Sequence, residues 1–81
     1  MVNFMTIRDE TLRPYEHWQQ PTGMEVRSVL KTAGLTGSEA ANIVGVNSRT
    51  IRKWTGEEQR IPYSAWAILV ESAGLGLIWR S

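Results

Sequence analysis

Three cationic side chains, Arg49, Arg52 and Lys53, lie close together near the middle of the chain. At about 100° per residue they fall within an arc of about 100° on one side of a helix. An arginine can donate two hydrogen bonds to guanine in the major groove of a DNA duplex, and a lysine can neutralise a backbone phosphate. The alternative is a solvated charged face, which is the usual place of basic residues on a surface helix. The three charges taken alone favour that alternative.

Two short helices with a sharp corner between them are predicted for the stretch that carries these cations. Thr36 and Glu39 have the Thr-x-x-Glu form of a capping box, which opens a helix by satisfying its first amide groups. Gly45 should end that helix, because glycine adopts the left-handed conformation at little steric cost. Asn47 and Ser48 then supply side-chain oxygens that suit the cap of a second helix. The second helix therefore carries the three cations.

The second helix of the pair, predicted over residues 49–55, separates its chemistry by face. Ile51 and Trp54 fall together on the side opposite the cations. Such a helix can pack on a small domain with its apolar side and lie in the major groove with its cationic side. In the first helix, the small side chain of Ala41 lets two backbones approach closely at the corner.

The positions of Ala41, Gly45, Val46, Ile51 and Trp54 resemble the helix-turn-helix of the Cro/CI-like (XRE) repressor family. The match includes the alanine of the first helix, the glycine and apolar residue at the turn, and the two buried positions of the recognition helix. This resemblance reverses the balance set by the charges alone and favours a DNA-binding face. It implies an all-α fold, a compact lambda-repressor-like bundle of four to five helices.

Residues 24–74 as a whole look like the small anti-CRISPR-associated (Aca) repressors of phages and mobile elements. Outside the helix-turn-helix the likeness rests on the LK-x-AG ending of one helix and the PY start of another. The resemblance implies a sequence-specific transcriptional repressor that acts as a homodimer on double-stranded DNA. Its operator would be a palindrome, an inverted repeat in the promoter of its own operon, and it would repress by obstructing RNA polymerase.

The predicted contacts with DNA form two groups. Base reading is assigned first to Arg49 and then to Arg52, because arginine can donate two hydrogen bonds to guanine. Phosphate contact is assigned to Lys53, and the amide groups at the start of the first corner helix could hold another phosphate. The remaining predicted contacts lie at the two helix starts: Asn47 and Ser48 for base edges or phosphate, and Thr36, Ser38 and Thr50 for phosphate.

Two amphipathic helices are predicted on either side of this pair. The first follows a second capping box, formed by Thr22 and Glu25, and ends at Gly34. The last begins near Pro62 and ends at Gly74. Their apolar stripes repeat at helical spacing and consist of Val26, Val29, Leu30 and Ala33 in the first and Trp66, Leu69, Val70 and Ala73 in the last.

Residues 1–21 are expected to form an arm packed on the domain or on a partner subunit, because they carry too many large apolar groups for a freely solvated tail. Arg8 and Arg13 could enter a minor groove, as basic arms of some DNA-binding domains do. Ordinary surface charges are the commoner explanation. The helix-turn-helix domain proper is expected over residues 22–74.

The C-terminal tail, residues 75–81, alternates Leu75, Leu77 and Trp79 with other residues, and a period of two suits a short strand. A strand needs a partner, and residues 2–7 are the other plausible extended segment. The alternative is an irregular apolar tail packed on the bundle. The tail is also a possible dimer contact, together with the apolar excess on the last helix at Tyr63, Ala65 and Ile68.

The composition of the 81 residues, with a net charge of only +1, bounds the other possibilities. One histidine, His17, one aspartate, Asp9, and no cysteine leave little material for catalysis or metal binding. We therefore expect no enzyme, no catalytic residue, no metal and no cofactor. No apolar run approaches the roughly 20 residues that span a bilayer, and the N-terminus lacks the pattern of a secretory signal. A cytoplasmic protein without membrane contact is the expectation.

Two other classes of function stay open beside the repressor. In an antitoxin of a toxin–antitoxin pair, the helix-turn-helix would bind DNA while the arm or tail neutralises a partner protein. An accessory DNA-binding protein of recombination or conjugation would bind near DNA ends or transfer origins instead of a promoter. The sequence identifies neither the operator nor any small-molecule effector.

Overall fold

The computed structural model describes residues 7–80, and all regular structure in that range is helical. The residues 7–80 contain the helices α1 (Gly23–Ala33), α2 (Gly37–Val44), α3 (Ser48–Thr55) and α4 (Tyr63–Ser72), preceded by two single-turn 3₁₀ helices at Asp9–Thr11 and Tyr15–His17. The predicted all-α fold with at least four helices is confirmed. Both flanking helices and both corner helices lie where the sequence patterns predict them.

The predicted helix starts and stops follow from local hydrogen bonds. At the start of α1 the Thr22 side chain accepts from the Glu25 amide and the Glu25 side chain accepts from the Thr22 amide. Thr36 and Glu39 form the same reciprocal pair at the start of α2. Gly45, with φ of 79°, turns the chain out of α2, because glycine enters the left-handed region without a steric cost. The two capping boxes are therefore confirmed.

The core lies where α4 packs on α1 and α2. Trp66 is fully buried there, and its indole N–H donates to the carbonyl oxygen of Thr11 at 2.7 Å. This bond satisfies a polar group that would otherwise be buried without a partner. The other buried apolar residues are Val26, Val29, Leu30, Ala40, Ala41, Ile51, Trp54, Ile61, Ala65, Ala67, Leu69, Val70 and Ile78.

The described part of the predicted arm lies against the helices. Thr11 is fully buried beside Trp66, and the Tyr63 hydroxyl donates to the Arg13 carbonyl oxygen at 3.1 Å. Gln20 reaches the chain between α3 and α4, where its side-chain amide donates to the Ile61 carbonyl oxygen at 3.0 Å. Residues 7–21 are thus hydrogen-bonded to both the start of α4 and the linker that precedes it.

The predicted C-terminal strand is wrong for the residues that the structure describes. Residues 75–80 form bends and turns, and the Arg80 amide donates back to the Leu77 carbonyl oxygen at 3.2 Å. Gly76 has φ of 100°, which bends the backbone out of an extended path. The buried residue is Ile78, whereas Leu77 and Trp79 on the predicted strand face are exposed. The expected strand partner, residues 2–7, lies outside the described residues except for its last residue.

Candidate nucleic-acid interface

Helix α3 has one buried apolar side and one exposed cationic side. Ile51 and Trp54 are 2% and 4% exposed, whereas Arg49 and Arg52 are exposed and Lys53 is half-buried. The amphipathic arrangement is therefore confirmed. Lys53 can place its aliphatic stem along the protein and its ammonium group in solvent.

None of these three cations forms an ion pair within residues 7–80. The ion pair of that range joins Arg8 with Glu25, and the His17 ring lies 3.4 Å from a Glu16 carboxylate oxygen. The guanidinium groups of Arg49 and Arg52 are thus free to donate to an external acceptor. An unpaired cationic surface of this kind attracts phosphate backbones and can read base edges.

The corner between α2 and α3 is closed by backbone hydrogen bonds. The amides of Gly45 and Val46 both donate to the Ala41 carbonyl oxygen, at 2.8 and 3.0 Å. Ala41 is 3% exposed, and Val46 is half-buried against the core. The predicted corner residues Ala41, Gly45 and Val46 are therefore brought together between α2 and α3.

Two of the residues predicted to contact DNA at the start of α3, Asn47 and Thr50, are hydrogen-bonded to each other. The Asn47 side-chain oxygen accepts from the Thr50 amide at 2.9 Å and from the Thr50 hydroxyl at 3.1 Å. Asn47 is therefore the helix cap, and its side-chain amide N–H groups are what it can offer to a duplex. Ser48, the first residue of α3, is half-buried.

The start of α2 lies against the middle of α3. A Cβ atom on Gly37 would be 3.9 Å from the Cγ2 atom of Ile51. Thr36 is exposed, but its hydroxyl and its amide are both used in the capping box. Ser38 is exposed beside it, and so is the carboxylate of Glu39. The α2 start therefore offers backbone amides and the Ser38 hydroxyl, next to one acidic group.

The C-terminal end of α3 is fixed to α1 by contacts that sequence patterns did not predict. Glu57 follows the helix with φ of 62°, and its carboxylate accepts from the Gly23 amide at 2.6 Å. A side chain on Gly23 would collide with the Thr55 carbonyl oxygen. The one sequence feature that could have indicated this contact is Gly23 itself, a glycine at the first position of a helix, where no left-handed turn requires glycine.

Arg8 is neither a free surface charge nor a free minor-groove arginine. Its Nε and backbone amide donate to one Glu25 oxygen at 2.8 and 2.9 Å, and an NH2 group donates to the other oxygen at 3.0 Å. Burial alone raises the pKa of Glu25, but the hydrogen bonds from Arg8 and Thr22 outweigh it and hold that pKa below its ordinary value. The same bond to Glu25 raises the pKa of Arg8. Arg8 therefore joins the N-terminal segment to α1.

Two other kinds of site are absent from residues 7–80. That range contains no cluster of histidine, cysteine or acidic residues that could hold a metal ion. It also contains no helix that is long and apolar enough to cross a membrane. The exposed face of α3 is thus the feature of the described chain with the clearest binding chemistry.

Comparison with known proteins identifies the class to which this fold and face belong. No protein-family model matches the sequence. A protein of Escherichia coli named transcriptional repressor protein KorC is 55% identical over 83 residues, which cover 99% of this chain and 98% of the relative. A second E. coli protein of the same name is 56% identical over 79 residues, covering 94% and 93% of the two chains.

This small helical fold is thus that of a transcriptional repressor, a regulatory protein. The identity extends over almost the whole length of both relatives. The chain belongs to the KorC family of transcriptional repressor proteins.

Proposed function

We propose that this protein represses transcription by binding a specific DNA site, with α2 and α3 acting as a helix-turn-helix of the Cro/CI-like type. The observation that supports it most directly is the pairing of buried Ile51 and Trp54 with unpaired, exposed Arg49 and Arg52 on one short helix. A helix built in this way can enter the major groove without exposing its core-facing side.

In this proposal the two arginines of α3 read bases. Arg49 lies near the N-terminal end of α3, the end that approaches base edges in helix-turn-helix complexes, so it is the first candidate for a guanine. Arg52 lies almost one turn further along. The remaining proposed contacts are Asn47, through its amide N–H groups, and Ser48 for base edges or phosphate, and Lys53, Thr36, Ser38 and Thr50 for phosphate.

We further propose a homodimer that binds an inverted repeat in the promoter of its own operon. The exposed apolar side chains support this, because Ile68, Leu75, Leu77 and Trp79 are 42%, 37%, 42% and 53% exposed on α4 and the tail. Ala65, which was expected to belong to the same apolar surface, does not contribute to it, because it is only 7% exposed. A two-fold dimer would place its half-sites about 34–36 Å apart, or at a multiple of that distance.

The dimer is tested by the double substitution Leu77→Ser with Trp79→Ser, followed by sedimentation equilibrium. We expect the variant to shift toward monomer while its circular dichroism stays helical. Met24→Ser is the matched control, because Met24 is a 67% exposed apolar residue on α1 and not on α4 or the tail. An unchanged molecular mass for the double variant would exclude the tail as the contact.

The wider context of the proposal rests on resemblance and on the names of the relatives. We keep residues 22–74 as the DNA-binding unit and residues 1–21 as the arm, and place the protein in the cytoplasm with its template. An anti-CRISPR-associated type of autoregulator is supported only by the likeness of residues 24–74. The names of the relatives favour repression over an antitoxin or an accessory recombination protein.

The experiment is a titration of wild type, Arg49→Ala and Lys53→Ala against a duplex from the region upstream of the gene. Arg49→Ala should lose about 1–3 kcal/mol of binding free energy and most of the preference at one base pair. Lys53→Ala should weaken binding to every sequence alike and reduce the slope of log affinity against log salt by about 0.9.

Arg27→Ala is the control for this titration, because Arg27 is an exposed arginine on α1. We expect it to leave the base preference unchanged. If both α3 variants bind as the wild type does, the exposed face of α3 is not the DNA surface.

A further inference from the structure

Two residues after the end of α3, the chain turns at a glutamate, Glu57, in a backbone conformation that normally selects glycine. The Glu58 amide donates to the Lys53 carbonyl oxygen at 2.8 Å and the Glu57 amide to the Trp54 carbonyl oxygen at 3.3 Å. This is the Schellman pattern, whose left-handed position is usually occupied by glycine. Here that position is Glu57, with φ of 62°, although Gly56 stands immediately before it. A residue with a Cβ atom is strained in this conformation, so a glutamate at this position indicates that its side chain makes a contact that glycine could not make.

The carboxylate of Glu57 makes such a contact, because it binds a different helix. It accepts a hydrogen bond from the amide of Gly23 at 2.6 Å. Gly23 is the first residue of α1, whose amide has no acceptor within its own helix. The missing side chain of Gly23 lets the first turn of α1 contact the Thr55 carbonyl oxygen at the end of α3 directly. The start of α1 and the end of α3 are thereby joined by backbone contact and by one charge-assisted hydrogen bond.

The α1 side of this contact is itself firmly held. The Thr22 amide donates to Glu25 at 2.7 Å, and Glu25 is 2% exposed and paired with Arg8. The adjoining segment is fixed to the α3–α4 linker by the bond from Gln20 to Ile61. Glu57 therefore ties α3 to a part of the molecule with few ways to move.

A small rotation at this end of α3 has a large effect at the other end. An eight-residue helix is about 12 Å long at about 1.5 Å per residue, so a tilt of about 10° moves its far end by about 2 Å. Arg49 lies near that far end, and a bidentate hydrogen bond to a base fails at such a displacement. Contacts to phosphate tolerate it better, because they depend mainly on charge.

We propose that Glu57 is a positioning residue: through its hydrogen bond to Gly23 it sets the tilt of α3 and so the reach of Arg49 to its base. This inference rests on the proposed function, since it assumes that α3 reads DNA. It assigns to an acidic residue a favourable part in DNA recognition, although acidic groups beside a duplex ordinarily weaken binding. Glu57 acts on the ratio of specific to non-specific affinity, and not on the attraction to phosphate.

Glu57 could act by repelling the DNA backbone or by positioning α3. Its substitution should raise DNA affinity in the first case and lower affinity for the upstream duplex in the second, so the two roles can be separated. Glu57→Gly removes the carboxylate and relieves the strained conformation, so the domain should stay folded. If Glu57 only repels DNA, this variant binds every duplex more tightly. If Glu57 positions α3, it binds the upstream duplex about tenfold more weakly, the size of losing one base contact, while binding to a scrambled duplex is unchanged or slightly tighter.

Three further variants define the cause. Glu57→Gln loses the charge but keeps an oxygen at the same reach, and should restore binding to within about twofold of the wild type. Glu57→Asn tolerates the left-handed conformation but is too short, so it should behave as Glu57→Gly. Glu58→Gln is the matched control, because the exposed neighbour carries the same charge. It should bind both duplexes as tightly as the wild type or slightly more tightly.

The hydrogen bond is followed directly by exchange of the Gly23 amide proton. The proton should be protected in the wild type and in Glu57→Gln, and should exchange faster in Glu57→Gly. Binding is measured where circular dichroism shows all variants folded. The positioning role would be overturned if Glu57→Gly and Glu57→Asn both kept the wild-type preference for the upstream over the scrambled duplex. It would also be overturned if Glu57→Gln lost as much of that preference as Glu57→Gly.

Titrations of Arg49→Ala and Arg52→Ala in parallel distinguish a failure of the role of Glu57 from a failure of the proposed function. If Arg49→Ala weakens binding to the upstream duplex and Glu57→Gly does not, only the role of Glu57 fails. If neither Arg49→Ala nor Arg52→Ala has an effect, α3 does not read that DNA, and both proposals fail together.

Discussion

The starts of α1 and α2 carry the same capping box in two different surroundings. The threonine amide donates to the glutamate at 2.7 Å in α1 and at 2.8 Å in α2. The glutamate amide donates back to the threonine hydroxyl at 3.2 and 3.1 Å. Yet Glu25 is 2% exposed and accepts three further hydrogen bonds from Arg8, whereas Glu39 is exposed. Local geometry is the same, and tertiary surroundings differ.

The difference shows how one local pattern can serve two purposes. In α1 the box is the point at which the N-terminal segment is joined to the helices, so its carboxylate is covered and paired. In α2 the box lies beside the proposed phosphate contacts of Thr36 and Ser38, a place that a duplex must be able to reach. A covering segment there would close the surface that the proposed function needs.

The largest expected effect is the loss of stability in Glu25→Ala. The substitution removes the glutamate half of the capping box of α1, leaves the Thr22 amide without its acceptor and takes away the partner of Arg8. Breaking a buried ion pair is strongly destabilising, and the effect is reduced here because the Arg8 side chain is 43% exposed. We expect a loss of roughly 2–3 kcal/mol in the free energy of unfolding, measured by urea denaturation.

Glu39→Ala is the matched substitution in the other box. It removes only a cap and should cost about 0.5–1 kcal/mol. Equal losses in the two variants would mean that the pairing with Arg8 adds nothing to the local motif.

A smaller effect is expected from the charge of Glu25 alone, as a dependence of stability on pH. Because its pKa in the folded protein lies below the ordinary value of 4.5, the carboxylate contributes stability that is complete above that pH. The contribution is lost as the pH falls through 4.5 toward the lower pKa of the folded state. We expect the free energy of unfolding of the wild type to fall more steeply between about pH 6 and pH 3 than that of Glu25→Gln.

Glu25→Gln suits this measurement because glutamine also fits the third position of a capping box. The variant should be less stable than the wild type at neutral pH, and its free energy of unfolding should fall less steeply as the pH is lowered. A wild-type slope in Glu25→Gln would show that other carboxylates govern the acid sensitivity.

The parts of the molecule that sequence patterns predict are those built from neighbouring residues. Both capping boxes, the left-handed turn at Gly45 and the two faces of α3 depend on contacts within about two helical turns. The bonds from Arg8 to Glu25 and from Trp66 to Thr11 join residues 17 and 55 positions apart. No periodicity encodes such pairs, and only the folded chain brings them together.

Two features of the molecule are not predicted by sequence patterns, for the same physical reason. The alternation of Leu75, Leu77 and Trp79 predicts a strand, but Gly76 enters a left-handed turn, and Ile78 is the residue that the bundle can bury. The contact of Glu57 with α1 is not predictable from its neighbours in sequence, because it depends on Gly23, the first residue of a different helix. In both cases the decisive partner is distant in sequence.

The smallest expected effect concerns the exposed box and sharpens its contrast with the buried one. Glu39→Gln keeps an oxygen for the Thr36 amide, so stability should change little. It removes a negative charge beside the backbone amides proposed to hold a phosphate, so DNA affinity should rise about two- to threefold at low salt and the gain should vanish at high salt. Glu71→Gln, an exposed acid on α4, changes the net charge equally and controls for the overall field. A larger gain in Glu39→Gln than in Glu71→Gln places the phosphate at the start of α2, whereas equal gains would leave only net charge and remove that contact from the proposal.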